Sequence, residues 1–232
     1  MTTSNSYDFS INRDQLIKGA LRLAGVLAQG ETPTASQIND AAESLNLMVK
    51  AWEADGMSLW ALRTYTITPV AGQTSYTLSS PKPLKALQAW NRETSSNVDI
   101  PMRIITKQEY NILGNKSTTG NPIQMYFEPG LDSSTVYLFP TPDSNAASQR
   151  VIHMVAQRPY QDFDSSTDTP DFPQEWYEAV KYGLAQRLAG EYNADIETRK
   201  MLLQEATLFK QAALSFGNED GSLYFQRDYR TW

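Results

Sequence analysis

RTYTITPVAGQTSYTL, residues 63–78, decides how this chain folds. Alternation of Thr, Tyr and Ile makes TYTITPV (64–70) a half-buried strand, and TSYTL (74–78) repeats the pattern after the AGQ turn at 71–73. β-branched and aromatic side chains fill a pleated surface well, whereas in a helix they lose χ1 freedom. The same character extends outward from about Arg63 to Pro159. LKALQAW (84–90), VDIPMRI (98–104), QMYFEP (124–129), TVYLFP (135–140) and RVIHMVAQ (150–157) read as further strands. Turn signals stand near Gly120 and Pro122 and at Pro129 and Gly130. Thr106 and Glu109 are spaced as a capping box for one short helix over 107–113. The stretch reads as an antiparallel sheet or sandwich.

On both sides the period changes to that of a helix. Leu16, Ala20, Leu23 and Leu27 share one face of a first helix, which Gly30 and Pro33 end. Thr34 and Gln37 open a second, whose stripe is Ile38, Ala41, Leu45, Met48 and Trp52, with Gly56 as its stop. The short loop between them argues a helical hairpin. After the strands, residues 171–173 carry a start signal, with a proline near the first turn where its missing N–H costs nothing. Trp176, Val180, Leu184 and Leu188 line the next helix, and Leu202, Ala206, Phe209, Ala213 and Phe216 the last. Trp52 and Trp60 are assigned to core packing, because such rings bury large areas.

The final segment, GNEDGSLYFQRDYRTW (217–232), is too short to build a core of its own. Yet it carries Leu223, Tyr224, Phe225, Tyr229 and Trp232, with Arg227 and Arg230 between them. Aromatic residues and Arg are the usual anchors of interfaces, so the segment reads as an arm that docks on a neighbouring chain. Folding back onto its own domain is the other open reading.

Composition narrows the function classes. The chain has 232 residues, a net charge of −6, one histidine and no cysteine. Disulfides, thiolate metal sites and Cys nucleophiles are therefore impossible. The first ten residues lack the basic and apolar regions of a signal peptide, and no apolar run is long enough to span a membrane; cytoplasmic synthesis is expected. Residues 1–60 carry 4 basic and 7 acidic side chains, 61–160 carry 9 and 6, and 161–232 carry 7 and 13. The basic face of a dedicated nucleic-acid binder is not visible in that distribution.

No sequence motif supplies catalysis. His153 sits in an alternating strand on the face of Val151 and Val155 and reads as structural. Asp162, Asp164, Asp168 and Asp171 suggest a calcium loop at first. Counted from Asp162, however, the sharp-turn glycine position is Thr167 and the bidentate Glu position is Pro173, so the loop is a solvated linker that caps the next helix. Phosphate-cradling glycine loops and a Gly-x-Ser-x-Gly elbow do not occur. Paired carboxylates for glycoside cleavage depend on proximity in space, and nothing points to a particular pair.

LIKGALRLAGVLAQGETPTASQINDAAESLNLMVKAWEADGMSLW (16–60), YLFPTPDS (137–144) and DFPQEWYEAVKYGLAQRLAGEYN (171–193) resemble, in order, the opening helices, late strand and third long helix of tailed-bacteriophage head-to-tail adaptors, also called tail accessory factors or head-completion connectors. These are structural patterns spread over nearly the whole chain. The stretch between them, about a hundred residues, looks longer than in the smallest adaptors.

The resemblance implies a virion protein at the head–tail interface, forming a ring, usually of twelve copies, below the portal. Its partners would be the portal protein, a tail (nozzle or tube) protein, further copies of itself, and genomic DNA passing through the lumen without sequence recognition; no membrane and no cofactor are implied. Leu223, Tyr224, Phe225, Arg227, Tyr229, Arg230 and Trp232 become portal-docking candidates. The expected fold is α+β. A helical-bundle body of two N-terminal and two C-terminal long helices (10–60 and 171–216) carries an inserted antiparallel β module (61–160) and an extended C-terminal arm (217–232). A non-enzymatic role is expected. The competing readings are another virion or carbohydrate-binding protein and a cell-wall glycosidase.

Overall fold

The computed structural model, which describes residues 3–55 and 59–216, divides the chain into a helical unit (residues 1–45 and 165–232) and a sheet unit (46–164). In the helical unit, α1 (Arg13–Leu23) starts at Asn12. The Gln15 N–H donates to Asn12 Oδ1 at 2.9 Å, and the Asn12 N–H donates back to Gln15 Oε1 at 3.0 Å. That exchange satisfies donors that every helix start leaves unpaired. The helix buries Leu16, Ile17, Ala20 and Leu21 and stops before Gly25, whose φ of 74° suits a residue without a Cβ. Leu27, expected on the helical stripe, is buried from the turn that follows.

α5 (Tyr177–Glu191) is the centre of this unit, packed by α1 and by α6 (Ile196–Phe216). It buries Val180, Leu184 and Leu188 as the spacing predicts, and Ala179, Gly183, Ala185 and Ala189 besides. A helix covered by two others is apolar on more than one face, with small residues where backbones approach. α6 meets it through Leu202, Ala213 and a ring contact between Tyr182 and Phe209, centroids 4.7 Å apart. α2 (Ala35–Asp55) begins in this unit with the predicted Thr34–Gln37 exchange, and its Ser44 hydroxyl donates to the Glu191 carboxylate of α5.

The sheet unit contains β1 (Leu62–Ile67), β2 (Ser75–Leu78), β3 (Lys85–Glu93), β4 (Asp99–Ile105), β6 (Gln124–Glu128), β7 (Ser134–Phe139) and β9 (Arg150–Gln157) in one seven-stranded sheet, ordered β1-β9-β3-β4-β6-β7-β2. β5 (Thr119–Gly120) and β8 (Thr141–Pro142) form a separate two-residue parallel pair. All seven expected strands exist. Every one of them supplies a side chain to a single core: Tyr65 and Ile67 from β1, Tyr76 from β2, Ala89, Met102, Met125, Val136 and Leu138 from the middle, and Ile152, Met154 and Ala156 from β9. Strands at both ends of the order share that core because the sheet curls into a nearly closed barrel. The Tyr65 hydroxyl of β1 donates to the carbonyl of Pro81, just past β2.

This architecture corrects the expected fold class. Six α-helices and a large barrel-like sheet stand in the described residues, not a helical-bundle body with a subordinate β insertion. Nor is the sheet purely antiparallel. β4 runs parallel to β6, Arg103 to Ile105 opposite Gln124 to Tyr126. The reason lies in the connection: α3 (Lys107–Asn111) lies between them, and a parallel pair requires such a crossover. Thr106 and Glu109 cap α3 as their spacing predicts. Strand patterns are local, whereas the partner a strand chooses is set by how the chain returns. α4 (Ser144–Gln149), capped by Asp143, was not anticipated.

Within the sheet unit, the last part of α2 holds the segment that leaves β9. Asn46 and Phe163 exchange two hydrogen bonds, of 3.2 and 2.9 Å, and Lys50 donates to the Tyr160 carbonyl at 2.8 Å. Trp60 stacks on Tyr160 with centroids 6.1 Å apart, and Trp52 is half-buried.

Candidate interaction surfaces

The arm residues Leu223, Tyr224, Phe225, Arg227, Tyr229, Arg230 and Trp232 lie outside the described residues. The surfaces that the structure does show begin at α6. Along its length α6 exposes Ile196, Met201, Leu203, Leu208, Leu214 and Phe216. Apolar residues at that density on one exposed helix are uncommon on a monomer and mark contact surfaces. Of the sequence stripe Leu202, Ala206, Phe209, Ala213 and Phe216, the first four lie on the covered face, whereas Phe216, at the end of the helix, is exposed.

On the outside of the sheet, α3 brings Tyr110 against Tyr126 and Tyr137. The three centroids are 5.3, 5.3 and 5.6 Å apart. Glu128 ties the cluster together, accepting from the Tyr137 hydroxyl at 3.1 Å, the Tyr126 hydroxyl at 3.3 Å and Lys107 Nζ at 2.8 Å. The Lys107 ammonium and then the Tyr137 hydroxyl hold the Glu128 carboxyl below the usual carboxylate range. In return the carboxylate, followed by burial, pushes the Tyr137 phenol up. Rings turned toward one another in this way fasten α3 to the sheet; they do not form an open row of platforms for a sugar.

A second aromatic contact crosses β1, β9, β3 and β4. Thr66, His153, Trp90 and Pro101 stand side by side in register. His153 stacks on Trp90, centroids 5.4 Å apart, with its Nδ1 3.4 Å from the Thr66 hydroxyl. Burial, and secondarily the Arg92 guanidinium, lower the imidazole pKa from 6.5. Its face is that of Val151 and Val155, half-buried like itself, as the alternation implied. Beside Trp90 the wall opens into a cavity of about 470 Å³ between β3 and β4.

The aspartates of the 162–171 loop separate in role. Asp162 pairs with Lys50 at 2.8 Å, whereas Asp168 accepts from the Ser165 N–H at 2.6 Å and its carbonyl accepts the Arg13 N–H at the start of α1. Among the described residues no three His, Cys, Asp or Glu side chains group as metal ligands, and no helix is long and apolar enough to cross a membrane. Trp90, Tyr110 and Glu128 escaped the sequence reading because they meet across strands. The one visible hint was Pro101 inside a strand pattern, a residue that cannot donate to a ladder.

No curated protein matches this chain. The sequence profile of the family described as SU10 adaptor protein matches residues 12–228, which includes both units and most of the 217–232 segment. The chain belongs to the SU10 adaptor protein family.

Proposed function

We propose that this adaptor protein is a structural component of a tailed-phage virion, assembling as a ring, of about twelve copies by family resemblance, between the portal and the tail proteins. The supporting observation is the family match over residues 12–228. An adaptor has to present two kinds of surface, one to its own copies and one to the parts above and below. Exposed apolar residues along α6 suit the first, in a heterologous contact that closes by rotation. Residues 217–232, with Leu223, Tyr224, Phe225, Arg227, Tyr229, Arg230 and Trp232, suit docking on neighbouring chains, those from Arg227 onward reaching the portal. A net charge of −6 per copy makes the ring strongly acidic, so its lumen repels DNA phosphates and lets the genome pass without adhering.

Electron microscopy of the full chain mixed with its portal, beside a chain truncated after Phe216, tests this reading. Rings capping the portal with the full chain alone support it, with 217–232 as the docking element. If neither chain associates with the portal, the head–tail role is wrong.

A further inference from the structure

β3 and β4 part company halfway along their length. Their antiparallel ladder runs from Arg92↔Asp99 through Trp90↔Pro101 to Ala89↔Met102 and ends there, although β3 extends back to Lys85 and β4 onward to Ile105. Beyond that point β4 pairs with β6 on its other side, and β3 pairs with β9 around a bulge at Leu87. Bulges bend a strand and end its pairing locally. Pro101, without an N–H, weakens the ladder just before it fails. Residues 85–88 and 103–105 therefore turn toward each other two strand edges that no strand among the described residues fills. The 470 Å³ cavity lies in this gap, lined by Leu87, Gln88, Trp90, Pro101, Met102 and Ile104. The Trp90 indole N–H is buried there and has no hydrogen-bond partner among the described residues. An apolar slot between two open strand edges, with one spare donor, matches an extended polypeptide: its backbone bonds to the edges and its alternate side chains fill the slot.

We propose that the opening between β3 and β4 receives residues 222–226 (SLYFQ) of a second copy of this chain, as an inserted strand. This rests on the ring assembly proposed above. The segment has the pattern the slot requires: Leu223 and Phe225 on one side of an extended chain, Tyr224 on the other, all strand-favouring residues. Between Phe216, the end of α6, and that segment lie five residues, GNEDG, which reach about 17 Å when extended. Glu219 and Asp220 in this spacer approach a unit whose 61–160 stretch has 9 basic against 6 acidic side chains. Leu223 and Phe225 occupy the slot beside Leu87 and Ile104, and a backbone carbonyl of the segment accepts the Trp90 N–H.

Hydrogen–deuterium exchange on the full chain tests the insertion, with Leu223→Asp/Phe225→Asp as the comparison. Amides of 85–88 and 103–105 should exchange at least tenfold more slowly in the parent chain, and their protection should grow with protein concentration. Equal exchange in the two chains overturns the proposal. Protection independent of concentration overturns the second-copy assignment, since the segment then occupies the opening of its own chain. Portal-capping rings with equal exchange refute the insertion alone, whereas absence of rings refutes the assembly reading itself.

Discussion

Trp90 of β3 lies directly opposite His153 of β9, the two rings stacked with centroids 5.4 Å and planes 24° apart. The contact desolvates the imidazole, so the neutral form is favoured in the fold. A base whose folded pKa is depressed binds fewer protons than it does unfolded, and stability falls as pH drops through 6.5 toward the folded value. Thermal melts from pH 7.5 to 5.5 should show this loss, and His153→Gln should flatten it. The carboxylates held below their usual range titrate lower still and leave the window clean. NMR titration placing the His153 midpoint above 6.5 would reverse the argument.

The Tyr137 phenol is held neutral by the carboxylate that accepts its hydrogen bond. Glu128→Gln removes the charge but retains an acceptor, so the Tyr137 midpoint should fall back toward 10. Difference absorbance near 295 nm on the parent and variant reads the change. An unchanged titration means that burial alone raises Tyr137.

Leu184 is fully buried at the centre of α5, whereas Leu208 is 63% exposed on α6. Leu184→Ala should cost about 3 kcal/mol in urea unfolding, from lost transfer energy and the cavity left behind. Leu208→Lys should leave the unfolding midpoint within about 0.5 kcal/mol. The same substitution should nevertheless reduce ring formation on the portal, read by particle counts in electron micrographs. A variant that still forms complete rings removes that part of α6 from the contact.

Asn12→Ala should cost about 1 kcal/mol through the lost cap on α1, measured as a shift in the denaturation midpoint. Thr106→Ala makes the matching test for α3, a single turn and a half long. There the cleaner reading is the exchange rate of the Glu109 and Tyr110 amides, since loss of the cap frees α3 before it unfolds the sheet.

Much of the secondary structure was legible in the order of residues. The Thr–Tyr–Ile alternation of 64–67 became β1, the Val180, Leu184 and Leu188 stripe became the buried side of α5, and two capping pairs stood where Thr34 and Thr106 lie. Such signals are local: a period of two or 3.6 and a side chain able to reach the next turn's N–H are properties of neighbouring residues. The family was legible too, because its patterns lie along the chain in order and the match spans residues 12–228.

Strand partnership was not legible. Nothing in VDIPMRI announces that its first half pairs with β3 and its second with β6, in the opposite sense. That choice depends on the return path through α3 and on a core drawn from all seven strands at once, Tyr65 and Tyr76 included. The closing sheet, the meeting of Tyr110, Tyr126 and Tyr137, and the gap beside Trp90 all follow from it. Sequence therefore settled the seven long strands, the long helices and most of the faces they bury, since those preferences act over a few residues. Tertiary structure alone decided which strands meet and where the wall stays open, because burial of a shared core is gained only when distant segments come together.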